Sequence, residues 1–273
     1  MGRTAALATF PIRMEPSPLV NSHDAELLAH HTWPCRQESP IGDWILRAAA
    51  GYSRRANSVL AVGTHDGCLD ETLAKIVSWY REQEVEPCMK ITPLAAPSLD
   101  AALHERGWTV ATPSLVLRCE LDEAAYFDGG LELCIDERPS PEWLEALARW
   151  DAEPAETSLH HRALLDRMAL AWFASWRVEG RLAAVMVCSH RGDQSHLYDL
   201  VVAPDLRGRG IGRAFLRAVL ARLARSGLAS ATLQVLESNV PARSLYASTK
   251  FVQIHGYHYR VSPSCGERAS CGC

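Results

Sequence analysis

The residues best suited to chemistry fall in one short turn, Arg207-Gly208-Arg209-Gly210-Ile211-Gly212. Its glycines open the backbone to conformations closed to other residues and leave no side chain in the way of a ligand. The preceding run, Leu197 to Val202, reads as a buried strand, and Ile211 onward reads as a helix. A helix start carries unpaired N–H groups and the positive end of the helix dipole. Strand, glycine turn and helix N-terminus together make a cradle for a phosphate or pyrophosphate, to which Arg207 and Arg209 add charge. A P-loop is excluded, because Gly212-Arg213-Ala214 stands where Gly-Lys-Ser/Thr is needed. A dinucleotide fingerprint is excluded as well, because Gly208, Gly210 and Arg213 fail its G-x-G-x-x-G register.

A second group lies around this turn. Asn239 precedes Pro241 and reads as the N-cap of a short helix that carries Tyr246. His196 and Tyr198 lie two apart on the strand and share a face; Asp199 points the other way unless a bulge intervenes. An imidazole with an ordinary pKa near ~6.5 suits proton transfer, and a phenol near ~10 can serve as a weak acid. His160 and His161 read as solvated helix residues, with Glu153 and Glu156 nearby to attract a cation. In the first half, Gly51 to Ser58 is a polar run between strands. It reads either as a basic hairpin turn or, through Arg55 and Asn57, as a place for an acidic group.

The elements that must position these residues follow from periodicity. Leu69, Leu73, Ile76, Val77 and Tyr80 recur at helical spacing over 69–83. Ser98 caps a helix over 99–106 that Gly107 stops, and 114–119 is a strand. After a linker at 122–130 come helices over 140–150 and 157–168, a hairpin turning at Glu179-Gly180-Arg181, the strand before the glycine turn, a helix over 211–226, and strands over 231–236 and 251–261. Both halves end strand, helix, strand, short helix, aromatic, strand. A shift of 143 (251 − 108) places Phe251 on Trp108, Tyr246 on Leu103 and Lys250 on Gly107. A constant shift across several elements marks an internal repeat. The first copy has Thr64 to Leu69 in place of the glycine turn, so it supports or binds rather than reacts.

A net charge of -4 argues against nucleic acid or an anionic membrane as the main partner. No apolar run reaches the ~18 residues of a membrane span, and the N-terminus makes a poor signal peptide, which places the protein in the cytoplasm. Nine cysteines are scattered without a zinc pattern. Cys265, Cys271 and Cys273 sit in a polar tail that reads as frayed, and no metal is expected.

Arg207-x-x-Gly210-x-Gly212 after its strand resembles motif A of the GNAT superfamily of acyl-CoA-dependent N-acyltransferases. Asn239-x-x-Ala242-x-x-Leu245-Tyr246, ending at Phe251, resembles motif B. The resemblance is strong over 131–261 and fainter over about 40–120, as in tandem members with a degenerate N-terminal copy. It implies two α/β mixed-sheet domains in tandem: a lead-in (1–22), a degenerate domain without the pyrophosphate loop (23–121), a catalytic domain (131–261) and a tail (262–273). It implies acetyl-CoA as co-substrate and a small-molecule primary amine as acceptor, in a monomer or homodimer. Backbone groups of Gly208 to Gly212 would hold the pyrophosphate. The edge Leu200-Val201-Val202 and Asn239 would hold the pantetheine arm. Tyr246 would protonate the departing thiolate and His196 would take the amine's proton, with Tyr198, Arg55 and Asn57 facing the acceptor. Acylation of protein lysines or N-termini, or CoA binding without catalysis, are the alternatives. Lys250 departs from the family, which has Gly before the aromatic, so the helix end must close without a left-handed glycine.

Overall fold

The structure is a computed structural model that describes residues 18–64, 67–122, 131, 133–152 and 154–263. The tail cysteines, most of the linker and part of the Thr64–Leu69 turn lie outside the described residues. Helix α1 (Pro18–Thr32) opens the described chain and begins inside the expected lead-in. The first half continues β1 (Gln37–Ile41), β2 (Trp44–Ala48), β3 (Val59–Leu60), α2 (Leu69–Glu82), β4 (Cys88–Ile91), α3 (Leu99–Glu105) and β5 (Thr109–Glu120). The second runs β6 (Leu133–Asp136), α4 (Pro141–Trp150), α5 (Ala155–Leu165), β7 (Ala171–Val178), β8 (Arg181–Arg191), β9 (Gln194–Val202), α6 (Ile211–Arg225), β10 (Ser230–Leu236), α7 (Val240–Ala247) and β11 (Val252–Val261).

The expected α/β mixed sheet is present, but it is a single 11-stranded sheet in the order β1-β2-β3-β4-β11-β5-β10-β9-β8-β7-β6. The last strand of each half pairs with the other half: β5 runs antiparallel to β10, and β11 runs antiparallel to β4. The two exchanged strands lie side by side at the seam. The pattern on either side matches, with β3 parallel to β4 around α2 and β9 parallel to β10 around α6. The 143-residue shift also holds at the level of atoms. Trp108 N donates to Leu103 O at 3.0 Å, and Phe251 N donates to Tyr246 O at 3.1 Å.

Helix α6 buries Phe215, Leu216, Val219, Leu220 and Leu223 against one face, over Leu117, Leu197 and Leu233. Each such side chain contributes about 1.5–3 kcal/mol. Helices α4 and α5 cover the other face through Trp143, Leu147 and Leu164, over Phe173, Val185 and Tyr198. Helix α1 crosses the seam on that second face, with Ala25 among Cys88, Val116, Tyr257 and Tyr259. It carries Glu26, which is 1% exposed, into the interior. There Glu26 is bound by Lys90 of β4 and by His255 of β11, the latter at 2.9 Å. Burial alone would raise the Glu26 carboxyl; the Lys90 ammonium and the His255 hydrogen bond outweigh it and hold it at about 2.

Glu26 therefore contributes stability that is complete above its ordinary value of 4.5 and is lost as pH falls through about 2. Lys90→Met leaves the carboxylate buried without its ammonium and should cost about 3–5 kcal/mol, read by denaturant unfolding at neutral pH. A loss under about 1 kcal/mol would show that the pair does not tie the seam.

Candidate active site

A fork in the sheet frames the site. Strand β9 pairs with β10 from Gln194–Ser230 to Leu197–Leu233. Beyond that rung β9 leaves, while β10 stays on β5 to Leu236. At the same point β9 bulges: Tyr198 faces Val187 and Val201 faces Val185, so three steps on β9 match two on β8. Asp199 takes up the extra residue with φ of +52°. The bulge keeps Leu200 and Val202 on the α6 side and Val201 on the α4–α5 side. The backbone edge of Leu200 to Val202 thus lies along the open arm of the fork.

The glycine turn closes that arm. Gly208 and Gly210 have φ of +74° and +81°, and an added Cβ on either would meet nothing within 4 Å, so the turn at the head of α6 borders open space. Gly212 differs: a Cβ there would make ordinary contacts, 3.4 Å from Val202 Cγ2 and 3.6 Å from Leu245 Cδ2, so α6 starts packed beside β9 and α7. Ile211 packs partly buried beside them and Arg209 is exposed. Arg207 is structural, since its guanidinium donates to Val202 O at 3.0 Å and Trp150 O at 2.7 Å.

On α7, Asn239 caps the helix by accepting from Ala242 N at 3.1 Å. Tyr246 is half-buried, edge-on to Phe251 with centroids 5.7 Å apart. Burial first, and the Asp199 carboxylate second, push its phenol up to about 12, while Arg55 acts the other way. Tyr246, Asp199 and Arg55 thus share one electrostatic neighbourhood, although they come from α7, the β9 bulge and the first half. The helix end closes without a left-handed glycine, as expected: Lys250 itself takes the left-handed conformation at φ +68°, where the first half has Gly107 at +78°.

Three sequence-derived assignments change. His196 is fully buried, with Nδ1 on Thr232 Oγ1 at 2.9 Å and its ring stacked 4.4 Å from Tyr198. Burial, with help from Arg55 and Lys90, depresses it to about 3, so it is a neutral core residue and not a solvent-linked base. Tyr198 is 3% exposed and bonds Thr32 Oγ1 at 2.8 Å, so it faces α1 and not an acceptor. Asn57 spends its amide on the backbone: Oδ1 accepts from Ala49 N and Gly51 N, and Nδ2 donates to Tyr52 O and Ser53 O. It shapes the loop that presents Arg55, whose guanidinium lies 4.5 Å over Trp33 and 5.5 Å over Tyr198.

His161 was expected in solvent, yet it is 2% exposed, and its Nε2 lies 2.9 Å from Asp199 Oδ2. Its ring stacks 4.4 Å from Tyr52 of the first half. Burial raises Asp199, but His161 and Arg55 overcome it and hold the carboxyl below its ordinary value. The helical register of α5 hints at burial, since Leu164 and Leu165 lie three and four residues on from His161. The partner could not be read, because it depends on the bulge. Glu153 lies outside the described residues.

Solved structures share this architecture. A GCN5-related N-acetyltransferase from Kribbella flavida superposes with a TM-score of 0.68 at 14% identity, over 89% of this chain and 95% of that one. A tandem GNAT protein from the clavulanic acid biosynthesis pathway superposes at 0.60 with 12% identity, over 87% of each chain. The fold is that of the GNAT acetyltransferases. The chain belongs to the family described as probable histone acetyltransferase Rv0428c C-terminal, which matches residues 23–260. The uncharacterized N-acetyltransferase YobR of Bacillus subtilis (strain 168) is 25% identical over 247 residues, 86% of this chain and 96% of its own.

A left-handed lysine is strained and a glycine is not. Lys250→Gly should therefore stabilise the protein by about 1 kcal/mol, seen as a rise of about 2–4 °C in Tm. A fall in Tm would mean that the lysine side chain contributes more than the strain costs.

Proposed function

We propose that the protein transfers an acetyl group from acetyl-CoA to a primary amine by direct attack, with donor and acceptor bound together. The observation that carries the reading is the fork itself: a backbone edge freed from its neighbour, ending in left-handed glycines at a helix N-terminus. The open space over Gly208 and Gly210 fits a pyrophosphate, and the Leu200–Val202 edge fits an amide-bearing arm. Acetyl-CoA supplies the acetyl group, and transfer to the amine forms an amide as the thioester C–S bond breaks. Among the described residues no cluster of three or more His, Cys, Asp or Glu side chains could hold a metal, and no helix is long and apolar enough to cross a membrane.

The chain's own groups divide the work. Tyr246 holds its proton firmly, so full transfer to a thiolate of ordinary pKa ~8.5 is uphill. Its contribution is a hydrogen bond to charge developing on sulfur. The His161–Asp199 pair suits receipt of the amine's proton better than His196: both rings are buried, but the partner of His196 is a neutral hydroxyl, whereas that of His161 is a carboxylate that orients the ring and offsets positive charge on it. The first half, reading as a copy without the glycine turn, supplies Tyr52 and Arg55 to the wall opposite. Both walls come from one chain, so the reading needs no second copy.

Gly210→Asp places a carboxylate at the anion cradle and should abolish acetyl-CoA binding by calorimetry; unchanged affinity would overturn the central reading. Tyr246→Phe should lower kcat by about 10²-fold with acetyl-CoA affinity nearly unchanged. Turnover at the normal rate would remove the tyrosine from the chemistry. Asp199→Asn should move the acidic limb of the kcat/KM profile to lower pH, because the carboxylate that favours the charged ring is gone. A limb that stays in place would eliminate the pair as proton acceptor.

A further inference from the structure

A cavity of about 270 Å³ opens at the seam, on the arm of the fork opposite β9. Its floor is Gln234 to Leu236, the residues of β10 just past the last rung shared with β9. Its walls are Ser53 to Arg55 from the first half, Thr112 and Ser114 of β5, and Tyr257 and Tyr259 of β11. Among the described residues no acidic side chain lines it.

Three of its polar groups are buried and have no hydrogen-bond partner among the described residues: Arg54 Nε, Thr112 Oγ1 and the Tyr259 hydroxyl. Tyr259 is 3% exposed, and its neighbour Tyr257 spends its own proton on Gln234 Oε1 at 2.9 Å. Thr112 reaches the cavity through a fault in the ladder: Tyr257 faces Ser114 while Tyr259 faces Ala111, and the intervening bulge holds Thr112 at φ +44°. A β-branched residue in that region is strained, and such bulges re-aim side chains. A buried unpaired polar group is costly, and this cavity gathers three. All three can donate a hydrogen bond, and the Arg55 guanidinium also lines the space. Arg54 already gives its Nη2 to Glu86 Oε2 at 3.1 Å, and what its Nε and the two hydroxyls still lack in common is an acceptor, which beside two guanidiniums is best met by an anionic oxygen group.

The structure assigns this cavity to the acceptor amine and requires that the amine carry an anionic oxygen group, a carboxylate or a phosphate, bound between Arg54, Thr112 and Tyr259. This rests on the acetyltransferase reading above and adds the substrate class to it. The volume suits a small molecule rather than a length of peptide. A lysine within a basic segment would bring cations to two arginines, so the cavity selects against it.

The test is acetylation by the full chain, followed by CoA release, with matched pairs: glycine against glycinamide, phenylalanine against phenylalaninamide, and O-phosphoethanolamine against ethanolamine. The carboxamide leaves more of its amine neutral, so a preference for the acid can come only from the site. We expect the anionic member of the carboxylate or the phosphate pairs to be favoured by about 10-fold or more in kcat/KM, and the pair that shows it identifies the anion. Arg54→Gln should erase most of that preference without altering acetyl-CoA affinity. Equal or better use of the neutral partners, preference for a lysine in a basic peptide, or an undiminished preference in Arg54→Gln would each overturn the assignment. Acetyl-CoA binding by calorimetry separates the two levels: if acetyl-CoA fails to bind, the acetyltransferase reading falls, and if it binds while the neutral amines win, only the acceptor class falls.

Discussion

The exchange of β5 and β11 is the constraint on which the rest of this molecule depends. Each strand ends one half of the chain but completes the sheet of the other, so neither half closes its own edge. Unpaired sheet edges are costly and prone to association, and the exchange removes the two that would face each other. It also fixes where everything else must sit. Helix α1 can cross both halves only because they share one sheet, and the Glu26–Lys90–His255 cluster ties that crossing to β4 and β11 at once.

The same exchange places the first half beside the fork. With β5 against β10, the loop from Gly51 to Ser58 comes over the point where β9 leaves. Arg55 then lies on Trp33 and Tyr198, and Tyr52 stacks on His161. The charges there are balanced locally: Asp199 is held low by His161 and Arg55, while Tyr246 is pushed high by burial and by Asp199. Groups from three parts of the chain thus set one another's protonation in a space where water screens weakly. A half without the glycine turn remains useful because its loop and its exchanged strand wall the opposite side of the cleft.

Much of the site was legible in the chain, and the parts that were not share a cause. The glycine turn and Asn239 stand out because local geometry favours their residue types: a left-handed φ at Gly208 and Gly210 and a cap at Asn239. Strand β1, with its largely exposed pattern, gave little periodic signal to find. The place of His196 on the strand suits a base, but burial depends on what covers the sheet, and α1 covers it. His161 was read as solvated because its partner lies 38 residues away across a bulge. Asn57 has a residue type that suits a ligand or a turn equally, and only its four backbone bonds decide between them.

Most elements and the glycine turn are set by the local sequence, because they rest on short-range physics: periodicity, capping and the conformations open to glycine. The tertiary structure alone decided that the halves share one sheet, that Asp199 turns toward His161, and that Thr112 and Tyr259 leave their polar groups unmet beside two arginines. Strand pairing, burial and local dielectric are set by residues distant along the chain. One residue of slip in a ladder, as at Asp199 and Thr112, reverses which face a side chain joins. No local pattern encodes that choice.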